Sequence, residues 1–213
     1  FTGSIRDVNF AATNCLSSGH DYIIIRGGLW QESTDHCLTF SGNNIIVENA
    51  EITNWGGTTG NNVGDSGVRL QASTLRTVVQ GCNIHSPRGT SLNWGTGGDA
   101  AAAITHQFNA SGQRVYRYNR FSGGATNKLF YDAVRENPYN NFSTSGGFGP
   151  DCDINNNTFA FVRDDGIELD GAARNSRCYS NYFDFIGIPL SNSICGRGPS
   201  YVFRTVHNLK SSS

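Results

Sequence analysis

The 213-residue sequence has no methionine, and only 15% of its residues carry charge. A primary translation product begins with Met, so its absence predicts a processed chain or a segment of a longer protein. With a formal net charge of −1 and no run of Lys or Arg interleaved with aromatics, the chain lacks the phosphate-binding surface that a nucleic-acid partner needs. The longest apolar stretches, such as "YIIIRGGLW" at 22–30, are far shorter than the roughly 20 residues needed to cross a bilayer. No basic segment precedes an apolar one at the start. A soluble chain without a membrane span is expected. Cysteines 15, 37, 82, 152, 178 and 195 lack the CxxC spacing of a zinc ribbon or a thioredoxin-like centre. An even set of six predicts up to three disulfides, with the pairing left open. The sequons beginning at Asn109, Asn141 and Asn156 suit an exported protein. Secretion and a single domain over 1–213 are the resulting expectations.

No helical period of any length runs through the chain; what recurs instead is a short β-like unit. The stretches "TDHCLTFSG", "GDSGVRLQA", "GDAAAAITH", "FYDAVRENP" and "RDDGIELDG" align on a small or cysteine residue at Cys37, Gly67, Ala101, Ala133 and Gly166, and "FIGIPLSN" continues the series at Gly187. After each of them, pairs such as Leu38/Phe40, Val68/Leu70 and Ile167/Leu169 alternate with more polar neighbours, the period-2 pattern of a strand with one buried face. A second set of apolar runs lies between, with asparagine two residues before a large apolar residue at Asn119, Asn157 and Asn181, and Asn208 as the expected continuation. Inward-pointing asparagines at equivalent positions satisfy turn backbone groups in successive coils, as buried polar groups require.

Alternating strand sets with Gly and Asn punctuation predict a solenoid of β-coils rather than a sandwich, which needs no rung-to-rung recurrence, or a propeller, whose blades carry four strands each. Through its "DGI-x-L" and "N-x-F" strands the sequence resembles the right-handed parallel β-helix proteins, the pectate-lyase-like superfamily, from about Tyr22 to Asn208. The expected fold is an all-β, single-stranded right-handed parallel β-helix of about six to seven coils. The GGxGxD rhythm of calcium-binding β-rolls is absent.

Equivalent positions in successive coils lie roughly 4.8 Å apart, so columns of the alignment become neighbours in space. The two positions before the small residue read Asp35/His36, Asp65/Ser66, Asp99/Ala100, Tyr131/Asp132 and Asp164/Asp165, and the outward position two after it reads Thr39, Arg69, Ala103, Arg135, Glu168 and Pro189. These columns gather Asp132, Asp164, Asp165 and Glu168 as candidate catalytic carboxylates on one side of two rungs. Arg135, Asp170, Arg69, His106 and the loop residue Trp94 are the candidate substrate-binding groups, and Trp55 is a further aromatic able to stack on a sugar or to cover the core. Carboxylates a few ångströms apart cannot all ionise cheaply, so at least one becomes a proton donor; glycoside hydrolysis needs one protonated and one ionised carboxyl.

The pair "YDA" at 131–133 and "RDDGI" at 163–167 is similar to the "NTD-G" and "DD-x-I" motifs of polygalacturonase-type hydrolases, although the "GHG" and "R-I-K" motifs of those enzymes have no counterpart in this chain. That resemblance implies Asp164 or Asp165 as the acid, with Asp132 and the other aspartate activating water, and requires no cofactor. A lyase reading lets the same carboxylates hold Ca²⁺ while Arg135 or Arg69 acts as base, Lys128 being the only lysine near these rungs. Set against both, aspartate at turns caps backbone N–H groups, and its recurrence at Asp35, Asp65 and Asp99 fits such a role. Singletons such as His36, His85 and His106 lack ligand spacing and read as surface or satisfied histidines. The expected partner is a polysaccharide, and the expected activity is its hydrolysis. The alternative is a non-catalytic stalk, adhesin or fibre that self-associates through open solenoid ends.

Overall fold

The computed structural model describes residues 8–9, 13–57, 64–88, 101–107, 112–124, 129–137, 148–171, 173–192 and 197–208. Among these residues there are strands but no helix, and every strand pairing is parallel, within one 13-stranded and one 7-stranded sheet. The strands stack in three walls. Wall A contains Leu16–Ser18, Leu38–Phe40, Ser66–Leu70, Ala102–Gln107 and Val134–Asn137. Wall B runs from Ile24–Arg26 through Thr77–Gln80 and Arg114–Arg117 to Ser200–Phe203. Wall C includes Glu51–Thr53, Asn83–His85 and Arg120–Ser122. Two long strands, Thr158–Glu168 and Tyr182–Ser191, serve walls C and A in turn, and this joins those walls into the larger sheet. The curled parallel sheets are compatible with the expected β-solenoid.

The second set of apolar runs divides into walls B and C because each run bends at a residue with positive φ. The bend falls at Asn49, Gly81, Tyr118, Asn156, Ser180 and Arg204 in successive passes. At Gly81, with φ +63°, an added Cβ would lie 2.5 Å from Asn49 Oδ1, so a side chain there would have to displace the Asn49 amide. Immediately after the bend come Asn119, Asn157 and Asn181, all buried. Asn157 Oδ1 accepts from the Asn119 backbone N–H at 2.9 Å and from Asn119 Nδ2 at 3.1 Å. Asn157 Nδ2 donates to the Tyr116 carbonyl at 2.9 Å and to Asn181 Oδ1 at 3.1 Å. The ladder therefore satisfies polar backbone that the corner would otherwise bury unpaired. Beside it Phe121, Phe159 and Phe183 stack with ring centroids 4.9 and 5.0 Å apart.

Asn208 does not continue the ladder. It is exposed and donates to Asp184 Oδ1 at 2.9 Å. In that pass His207 takes the phenylalanine position, edge-on to Phe183, which places Asn208 beyond the corner.

Two wall A alignments also shift by two residues. Ile104 pairs with Val68 and Val134, and Thr105 pairs with Arg69 and Arg135, so Ala103 rather than Ala101 stands opposite Gly67. Four consecutive alanines at 100–103 carry no side-chain signal to set the register. Likewise Glu168 pairs with Ser191, not Pro189. The five described cysteines are all free thiols, in place of the expected disulfides, and Cys195 lies outside the described residues. Of the sulfur contacts among them, one pair, Cys15 and Cys37, is in hydrogen-bond range at 3.1 Å.

Replacing Asn157 by alanine strands the Asn119 N–H and the Tyr116 carbonyl in the interior. It should lower unfolding free energy by about 2–4 kcal/mol in denaturant titrations, whereas the same change at exposed Asn156 should cost only about 1 kcal/mol, because its φ of 54° favours asparagine over alanine.

Candidate functional site

The corner that leads into wall A repeats one device. In two passes a side chain at the corner accepts the backbone N–H of the residue stacked on it in the next pass. His36 Nδ1 accepts from the Ser66 N–H at 3.2 Å, and Asp132 Oδ1 accepts from the Asp165 N–H at 3.0 Å. The corner column thus runs His36, Ser66, Ala102, Asp132, Asp165, with the outward column Thr39, Arg69, Thr105, Arg135, Glu168, Ser191 beside it.

At one place the two columns concentrate charge. Oxygens of Asp132, Asp164 and Asp165 all lie within 4.8 Å of one another. Asp132 Oδ2 also accepts from Arg135 Nη1 at 3.2 Å, an ion pair with both side chains buried. The Arg135 guanidinium lies 5.5 Å from the centre of the Tyr131 ring, and that of Arg163 lies 4.8 Å from it. Glu168 follows Arg135 in the outward column, and Asp170 accepts from Ser191 Oγ at 2.9 Å. Asp164 and Glu168 are partly exposed, while Asp132 and Asp170 are buried. Within this cluster, Asp165 Oδ1 and the Nε and Nη2 of Arg135 are buried without a hydrogen-bond partner among the described residues.

Burial separates the acids by protonation. It pushes the Asp165 carboxyl up to about 8, and the negative charges of Asp132, Asp164 and Asp170 add to the shift. Glu168 rises to about 9 by burial and then by the charge of Asp132, against the opposing Arg135. Asp132 rises only to about 6, because the Arg135 guanidinium and the Asp165 N–H favour its charged form against burial. Near neutral pH the cluster holds protonated Asp165 and Glu168 beside ionised Asp132.

A second cluster sits further along the same wall. His36 Nε2 lies 2.8 Å from Arg69 Nη1 and 3.2 Å from Asp35 Oδ1, and Ser66 Oγ bridges His36 Nδ1 at 3.1 Å and Thr105 Oγ1 at 2.8 Å. Burial and the Arg69 charge hold His36 neutral, down at about 3. Burial, with the neighbouring Asp65, raises Asp35 to about 6. Asp65 Oδ2 caps the Gly57 N–H at 2.8 Å, as the turn reading expects.

The structure brings together Asp132, Asp164, Asp165, Glu168, Asp170 and Arg135, and places Arg69 two strands away on the same wall. His106 does not join them. It faces inward, fully buried, with its Nε2 2.5 Å from the Tyr116 hydroxyl and its ring against Phe148, because it has the parity of core residue Leu70. Trp55 is also fully buried, stacked on Phe130, and so covers the core rather than offering a sugar platform. Trp94, Lys128, Asp99, Asn109 and Asn141 lie outside the described residues. Tyr131 and Arg163 were not singled out by sequence pattern, since neither recurs from coil to coil. Comparison with protein-family models, with curated proteins and with solved structures found no match to this chain.

Proposed function

We propose that the chain is a carbohydrate-active β-helix protein of right-handed coil, exported from the cell, that binds a polysaccharide along wall A and cleaves it by hydrolysis. The observation that carries this reading is the close set of Asp132, Asp164 and Asp165 with its members on opposite sides of neutral protonation. In this reading Asp165 protonates the leaving glycosidic oxygen. Asp164, partly exposed, is the carboxylate that reaches the anomeric carbon. Asp132 is a positioning group that fixes the Asp165 backbone and, through its charge, keeps the Asp165 proton on. Glu168 and Arg135 supply a donor and a cation beside these acids, and Arg69 extends the contact along the wall.

The spacing bears on the stereochemistry. Inverting enzymes separate their carboxyl groups by about 6.5–9.5 Å to admit a water, whereas retaining ones hold them about 5–5.5 Å apart. Oxygens of Asp164 and Asp165 within 4.8 Å of each other leave little room for a water between them, and on this ground we favour direct attack by Asp164 over the water activation implied by the hydrolase resemblance.

A second reading rests on the same oxygens. Three carboxylates this close, with Asp165 Oδ1 unpartnered, fit a hard cation of the Ca²⁺ type, which prefers oxygen ligands at about 2.3–2.6 Å. Asp132, Asp164 and Asp165 would hold it, and bound there it would acidify the α-proton of a uronate for elimination. Arg135, already paired with Asp132, opposes this loading.

A panel of plant, algal and bacterial polysaccharides, followed by both reducing ends and unsaturated-uronate absorbance, separates the readings. New reducing ends alone support hydrolysis, absorbance supports elimination, and no change with any polymer overturns both. Asp165→Asn and Asp164→Asn should each lower kcat/KM by about 10²–10⁴-fold with the fold retained by circular dichroism. Wild-type rates should fall through about pH 8 as Asp165 loses its proton.

Stability should follow a different course. Asp165 and Glu168 bind protons more tightly folded than unfolded, so their contribution is fully present below about pH 4. It is lost as the pH rises through about 8 and 9. Melting temperatures across this range should decline less in Asp165→Asn than in the wild type.

A further inference from the structure

Away from the acid cluster, at the start of wall A, two thiols face each other across adjacent strands. Leu16 pairs with Leu38, and the backbone N–H groups of Cys15 and Leu16 both donate to the Cys37 carbonyl, at 3.0 and 3.1 Å. Cys15 and Cys37 are therefore stacked neighbours, roughly one strand spacing apart, and roughly 4.8 Å falls within the Cα separation that a disulfide spans. Their side chains point the same way, since the Cys37 thiol donates to Cys15 Sγ at 3.1 Å. Closing that gap to a bond needs about 1 Å of movement. Cys37 is wholly buried, whereas Cys15 is only partly buried, its thiol donating to the Gln31 carbonyl at 3.2 Å. Cys82 and Cys152 donate instead to backbone carbonyls, those of Gln80 and Pro150, each at 3.4 Å.

We infer that Cys15 and Cys37 are a reactive dithiol that oxidises to a rung-to-rung disulfide, with Cys15 as the attacking sulfur and Cys37 as the resolving one. The division of roles follows from the surroundings. Cys15 is the accessible member, and the hydrogen bond from Cys37 holds its thiol below the ordinary value, while burial pushes the Cys37 thiol up. The oxidant is a small disulfide of the glutathione type. The Cys15 thiolate attacks one of its sulfurs, forming a mixed disulfide and expelling one thiolate. The Cys37 sulfur then attacks Cys15 Sγ, forming the intramolecular bond and expelling the second thiolate. The two protons leave with the two small thiols, so two thiols and one disulfide become one disulfide and two thiols. The product staples the first stacked pair of wall A among the described residues, across the 22 residues that separate the cysteines.

The test uses the intact wild-type chain. It is incubated with glutathione disulfide, alkylated with iodoacetamide under denaturing conditions and digested with trypsin. Cleavage after Arg6, Arg26 and Arg69 places the two cysteines in separate peptides, Asp7–Arg26 and Gly27–Arg69. The expected result is a cross-linked pair of these peptides that is lost on treatment with dithiothreitol. In Cys15→Ser the Gly27–Arg69 peptide should be recovered alkylated at Cys37. Recovery of both wild-type peptides alkylated overturns the proposal, and so does a link from Cys15 or Cys37 to any other cysteine. None of these readouts depends on a polysaccharide, so the result stands apart from the hydrolytic reading.

Discussion

Where the described strands turn from one wall to the next, buried backbone N–H groups need partners, and the stacking depends on acceptors that meet them from the neighbouring pass. At the bend between walls B and C the acceptor is the amide of Asn119, Asn157 or Asn181, which also donates back to a carbonyl. An asparagine suits that place because one side chain supplies both donor and acceptor. The stacked phenylalanines beside the ladder bury apolar area on three successive rungs, the same passes that carry the asparagines.

The corner entering wall A solves the same problem with different residues, and this is where chemistry becomes available. His36 and Asp132 each accept an N–H from the pass above. Capping and reactivity are therefore not opposed roles for Asp132. An aspartate used as a buried cap brings a negative charge into the corner, and Arg135 compensates it. The next residue in the column, Asp165, then finds ionisation opposed by burial and by that charge together. A structural demand of the coil in this way produces a proton donor.

The parts of the fold legible in the sequence were those carried by recurring side chains. Alternation after Cys37, Gly67, Ala133 and Gly166 placed Leu38, Val68, Val134 and Ile167 in the core, where the register confirms them. The asparagine spacing predicted the ladder at three positions and misled at Asn208, since spacing alone does not show where a corner ends. The alanine run concealed a two-residue slip, because identical small side chains distinguish no register. Division of one strand set into walls B and C was hidden as well, since the positive-φ residue at the bend varies between Asn, Gly, Tyr, Ser and Arg.

For the site, the sequence by itself determined which acids share a wall: Asp132 with Asp164 and Asp165 follows from a period of about thirty residues and the parallel stacking it imposes. Only the tertiary structure decided which of them meet water and which hold protons. Parity turned His106 inward towards Tyr116, packing against Phe130 buried Trp55, and the Arg135 ion pair set Asp132 apart from Asp165. Solvent exclusion and charge pairing depend on neighbours contributed by other passes of the chain, and no local stretch of sequence contains them.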